Sequence, residues 1–132
     1  MLKLLNEKFS GKYDFFYLPM DLKTKYNVGF AFINMIHPLF ILDFYLEFNA
    51  MKWNEKVAEC NSQKYCEIMY ANMQGLTEIK KELNDKNIMK KNDTNIKPLM
   101  IDNLEVNESD LIEIKQRCTK NKGFIDVFKK KL

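Results

Sequence analysis

Cysteine, histidine and glycine are scarce in this 132-residue chain, and each scarcity removes a class of answer. Three cysteines, Cys60, Cys66 and Cys118, leave one unpaired in any disulfide scheme. A stapled secreted fold is therefore a poor fit, and an intracellular, reducing compartment, nuclear or cytoplasmic, is the simpler setting. His37 is the only histidine, and a zinc site would need it and every cysteine at spacings that match no familiar motif, so no metal is expected. Four glycines build no phosphate-cradling loop, and no Asp or Glu has a partner histidine or nucleophile in a recognisable pattern. Neither an enzyme nor a cofactor is expected. Charge of one sign is also lacking: a formal net charge of +3 makes no broad basic surface, so attraction for phosphate must come from local clusters.

An uninterrupted apolar run of membrane-spanning length is missing as well. Val28 to Phe48 comes nearest, but Asn34, His37, Pro38 and Asp43 break it. A strand ending near Met35 and a buried helix starting at Pro38 account for both the apolarity and the breaks, because proline suits a first helical position. No membrane partner is expected. What is present is a hydrophobic content of 46% with 13% aromatics, enough to build a core in a chain of single-domain length.

The periodicities order the chain. Leu2, Leu5 and Phe9 share a helical face that Gly11 ends. Tyr13, Phe15 and Tyr17 alternate with Asp14, Phe16 and Leu18 in a strand closed by Pro19. A polar loop, Met20 to Asn27, leads to a second strand, Val28 to Met35. In the helix Pro38 to Phe48, Ile41, Phe44, Tyr45 and Phe48 share a face, while Phe40 and Leu46 widen the stripe, which calls for deep burial or a partner. Tyr65 to Ala71 is a third strand candidate. Leu76, Ile79, Leu83 and Met89 predict an amphipathic helix ending near Lys91, followed by a polar linker from Lys90 to Lys97. Leu99 to Ile101, Ser109 to Cys118 and Phe124 to Phe128 predict strand, helix and strand, with Ser109 as helix cap. Lys129 to Lys131 form a basic tail, most simply a solvated end.

The informative segment is Val28-Gly29-Phe30-Ala31-Phe32-Ile33-Asn34-Met35. In a strand, Gly29, Ala31, Ile33 and Met35 would pack inward on helices while Phe30, Phe32 and Asn34 face out. Two phenylalanines on an open sheet face need a reason, and unpaired nucleobases supply one, since each stacks on an aromatic ring for about 1–3 kcal/mol. The segment resembles the octamer of the RNA recognition motif: six of the eight positions agree, counting the free one, with Val28 in place of a basic residue and Met35 in place of an aromatic. The valine weakens the usual phosphate contact. With the flanks Gly11 to Asp21, Phe48-Asn49, Lys52-Trp53, Tyr70-Ala71 and Gln74-Gly75 included, the chain resembles the C-terminal RNA recognition motif of the Mei-two-like meiosis regulators over residues 1 to 101.

That resemblance implies an α+β, ferredoxin-like fold: an antiparallel sheet packed on helices, with an extra C-terminal helix and a strand-helix-strand extension. It places the first residues partway along the family's first helix, so the family's first, central strand has no counterpart. The expected organisation is a motif over residues 1–91 and a C-terminal extension over 92–132. Leu99 to Leu104 resembles the companion hexamer, with Met100 at the aromatic position. It therefore fills the missing central slot in a permuted arrangement, in the same chain or a neighbouring one, or it is the short strand that follows the extra helix. A start internal to a longer product is a third account.

The implied function is single-stranded RNA binding in post-transcriptional, meiotic or developmental regulation, with Phe30 and Phe32 as stacking rings and Asn34 as a polar contact. Tyr17 is either a third ring or a packed edge-strand tyrosine. Lys23 and Lys25 are either phosphate ligands or solvated loop residues. Trp53 suits a core plug. The alternative is a protein interaction module or inactive fragment, docking a protein partner or a second copy through the Pro38 to Phe48 helix or a bare sheet edge.

Overall fold

The computed structural model describes residues 1–21, 23–24, 26, 29–57, 60–85 and 98–119. Along the chain run α1 (Leu2–Phe9), β1 (Tyr13–Tyr17), β2 (Phe32–Met35), α2 (Pro38–Phe48), α3 (Trp53–Lys56), α4 (Leu76–Asp85), β3 (Leu99–Met100) and α5 (Glu108–Thr119). They fall into two compact units: Met1–Ile36 with Ala71–Glu105, and His37–Tyr70 with the segment that begins at Val106. Each unit draws on both sides of the boundary expected between residues 91 and 92.

In the first unit α1 buries Leu5 and Phe9, one turn apart on one face. Gly11, at φ +77°, takes the left-handed turn that a side chain would strain, and Lys12 N–H donates back to the Phe9 carbonyl at 3.0 Å. β1 then enters a three-stranded antiparallel sheet of order β2-β1-β3. The register contains a bulge at Asp14: Tyr13 pairs with Met35, but Phe15 pairs with Asn34, Phe16 with Ile33 and Tyr17 with Phe32. Cross-strand partners share a face, so the bulge turns Tyr13 and Phe16 to one side and Phe15 and Tyr17 to the other. Simple alternation had grouped Tyr13 with Phe15 and Tyr17. The Tyr13 hydroxyl instead donates to Asn6 Oδ1 of α1 at 2.6 Å, and burial pushes its pKa up.

Several expectations are corrected. β2 starts at Phe32 and not at Val28, opposite Tyr17, the last ladder residue before Pro19 interrupts the donor row of β1. Gly29 and Ala31 are exposed and not packed inward. Tyr65 to Ala71 forms no strand beyond a single bridge, Lys52 to Tyr65. Its backbone is used locally: Cys66 N–H donates to the Met51 carbonyl at 2.8 Å, Ala50 N–H to the Cys66 carbonyl at 2.7 Å, and Ile68 N–H to Asn49 Oδ1 at 3.0 Å. Leu99–Met100 pairs with Phe16 and Phe15 on the flank of β1 away from β2, and Ile101 N–H donates to the Asp14 carbonyl at 2.9 Å. It therefore lies at an edge of the sheet, not in the slot beside β2 that the permuted arrangement requires.

The second unit centres on α2. His37 caps it, its Nδ1 accepting from Leu39 N–H at 3.1 Å, and Pro38 fills the first turn. Phe40, Leu42, Phe44 and Phe48 are buried, more than one face. α5 packs on α2 with buried Leu111 and Ile114, and Arg117 forks onto Asp43 at 2.9 and 3.2 Å; Phe40, which widens the apolar stripe, is buried, while Leu46 stays 45% exposed. The cap of α5 is Asn107 and not Ser109: Asn107 Oδ1 accepts from Ser109 N–H at 3.1 Å and from its hydroxyl at 2.7 Å. Trp53 is half-buried. The end of the helix expected near Lys91, the linker to Lys97, the strand Phe124 to Phe128 and the lysine tail lie outside the described residues.

Candidate functional site

The sheet face that carries Phe15, Tyr17, Phe32 and Asn34 is the one on which aromatic rings accumulate, and it has two unlike halves. On the open half, Phe30 is 55% and Phe32 41% exposed. The Phe32 ring lies nearly parallel to that of Tyr17, its cross-strand partner, at 6.4 Å between centroids and 12° between planes. Phe30 stands edge-on to Phe32 at 5.5 Å and 78°. The three rings thus form a continuous group in which Phe30 and Phe32 each keep about half of their surface exposed.

The other half is covered. Phe15 is 3% exposed beneath Ile79 and Leu83 of α4, with Tyr17, Met73, Leu76 and Met100 packed around them. Leu76, Ile79 and Leu83 fall on one helical face, and Gly75, at φ +86°, turns the chain into the helix. Its N–H donates to Asn34 Oδ1 at 3.3 Å, while Asn34 Nδ2 donates to Asp14 Oδ1 at 2.8 Å. Lys80 pairs with Asp102, just past β3. Lifting α4 would return Phe15, Ile79 and Leu83 to water at about 1.5–3 kcal/mol apiece, against about 1–3 kcal/mol from one more stacked base.

Of the six residues chosen from the sequence, Phe30, Phe32 and Tyr17 therefore come together. Tyr17 is half-buried and serves the packing as well as the ring group. Asn34 adjoins them, but both ends of its amide are engaged within the chain. Lys23 is exposed in the loop between β1 and β2, where Asp21 Oδ1 accepts its N–H at 2.8 Å and Tyr26 returns a carbonyl to Asp21 N–H at 2.8 Å. Lys25 lies outside the described residues. Alternation could not find Tyr26, which projects from that loop at 76% exposure. Its signal was an aromatic set beside two lysines.

Little else on the described residues resembles a reactive centre. No three His, Cys, Asp or Glu side chains cluster there, and no helix there is long and apolar enough to cross a membrane. Burial pushes the Cys66 thiol up, which keeps it protonated at neutral pH.

Comparison with known proteins bears on the same stretch. The pattern of the family described as RNA recognition motif 2 matches residues 1–84. The chain is 41% identical over 100 residues to Protein MEI2-like 2 of Oryza sativa subsp. japonica, covering 76% of this chain and 11% of that protein. It is 35% identical over 126 residues to Protein MEI2-like 5 of Arabidopsis thaliana, covering 96% of this chain and 15% of that one. Against Protein MEI2-like 3 of Oryza sativa subsp. japonica it is 47% identical over 75 residues, 57% of this chain and 7% of the other. The chain thus spans roughly a tenth of the length of these curated relatives.

Proposed function

The chain belongs to the RNA recognition motif 2 family, and on that footing we propose that it binds single-stranded RNA by stacking bases on Phe30 and Phe32. One observation carries the proposal: two large aromatic rings in contact, each about half exposed, at the start of β2 beside Tyr17. Exposed rings of this kind are costly unless something flat covers them, and a nucleobase has the right shape. The α+β arrangement and its antiparallel sheet fit the ferredoxin-like fold of that family. Lys23 adds a phosphate contact from the neighbouring loop, with Lys25 two positions on in sequence as a second candidate, so affinity falls as salt rises. Asn34 contributes a polar contact only by exchanging its bonds to Asp14 and Gly75. The biological role that suits the relatives' names is RNA-level control in meiosis or development, inside the cell, in nucleus or cytoplasm.

The test is fluorescence anisotropy with a labelled single-stranded RNA for the unaltered chain and for Phe30→Ala combined with Phe32→Ala. Loss of two stacked bases should weaken binding by at least about tenfold. Equal binding by both proteins rejects the proposal. A protein-docking role draws less support, because α5 packs on α2 and Phe40, Leu42, Phe44 and Phe48 are buried.

A further inference from the structure

The cover that α4 lays on half of the sheet face bears on how much RNA the other half can hold. Resting on the stacking reading above, we propose that α4 stays in place during binding and ends the stack at two bases, so that Phe15 is never offered to RNA. Four features fix the helix there. Ile79 and Leu83 are buried on Phe15, Leu76 and Met73 pack on the same cluster beside Tyr17, Gly75 N–H is held by the Asn34 side chain, and Lys80 pairs with Asp102. On this face Tyr17 lies across from Phe32 and Phe15 across from Asn34, and the α4 cluster covers Phe15 with Tyr17 at its margin. A strand laid over Phe30 and Phe32 therefore meets an apolar step at Tyr17. Uncovering Phe15 would expose three buried apolar side chains for one extra stacked base, and it would also break the Asn34 and Lys80 contacts. The exchange is unfavourable, so the helix acts as a fixed end-stop that sets site length and not as a removable lid.

Two measurements on the full chain test this with a short labelled mixed-sequence oligoribonucleotide. In anisotropy titrations Phe32→Leu should weaken binding by at least about fivefold, whereas Phe15→Leu, which keeps an apolar side chain under α4, should stay within about twofold. Amide hydrogen exchange of residues 79–83 in the unaltered protein should be unchanged or slowed by the RNA. Faster exchange there on adding RNA, or a fivefold loss for Phe15→Leu with its circular dichroism intact, overturns the end-stop. The exchange measurement decides even where Phe15→Leu does not fold. Binding that neither Phe30→Leu nor Phe32→Leu weakens overturns the stacking reading and the end-stop with it.

Discussion

The side-chain amide of Asn34 joins three pieces of backbone that are far apart in sequence: its own strand, Asp14 on β1 and Gly75 at the start of α4. Removing it leaves a half-buried carboxylate and an N–H without these bonds. Asn34→Ala should cost about 1–3 kcal/mol of stability, measured by urea unfolding. A change below about 0.5 kcal/mol would show that the amide is not structural. The shared face of Phe32 and Asn34 could be read from the two-residue period of a strand, since it depends only on neighbours; Phe30 precedes the strand, and its exposure does not follow from that period. The engagement of Asn34 could not be read there, because its second partner lies 41 positions away. Tyr13 failed the same alternation for a related reason: one extra residue at Asp14 shifts every side chain before it to the other face, and no local signal marks a bulge.

Helices with strong ends were placed well from the sequence. Pro38 opens α2 and Gly11 follows α1, each a local steric statement. The excess width of the α2 stripe announced a cover without saying which element provides it, since contact between α2 and α5 bridges more than sixty residues of chain, as Arg117 and Asp43 show at a separation of 74. The cap of α5 was misplaced because Asn107, Glu108, Ser109 and Asp110 offer several cap formers in a row, and geometry chose Asn107. Between these two helices the apolar contacts outweigh the exposed ion pair. Leu111→Ala and Ile114→Ala should each destabilise the protein by about 2–5 kcal/mol. Arg117→Ala should cost no more than about 1 kcal/mol, because its guanidinium is half exposed and screened by water. Thermal and urea unfolding followed by circular dichroism checks the order, and an Arg117 effect as large as that of Ile114 would reverse it.

The molecule as a whole carries only three excess positive charges, so its affinity for a polyanion rests on local contacts and apolar stacking. Its stability should respond to alkali. Burial pushes the Tyr13 hydroxyl above its ordinary 10.0 and the Cys66 thiol above 9.0, and the partial cover of Tyr70, still 43% exposed, pushes its hydroxyl the same way. The unfolded chain releases these protons first, so their contribution is full below about pH 9 and is lost as pH rises through the raised values. Urea midpoints measured from about pH 8 upward should fall, more shallowly for Tyr13→Phe; a flat profile would contradict the burial of these groups. What the composition could not supply was the closed half of the sheet face, since α4 and Phe15 are more than sixty residues apart. The most direct test of RNA stacking is the set of intermolecular nuclear Overhauser contacts between base protons and aromatic ring protons in the RNA complex. Contacts from bases to the rings of Phe30 and Phe32, with the base protons shifted upfield, are the predicted result. An RNA complex whose base contacts fall elsewhere and leave both rings unshifted would contradict it.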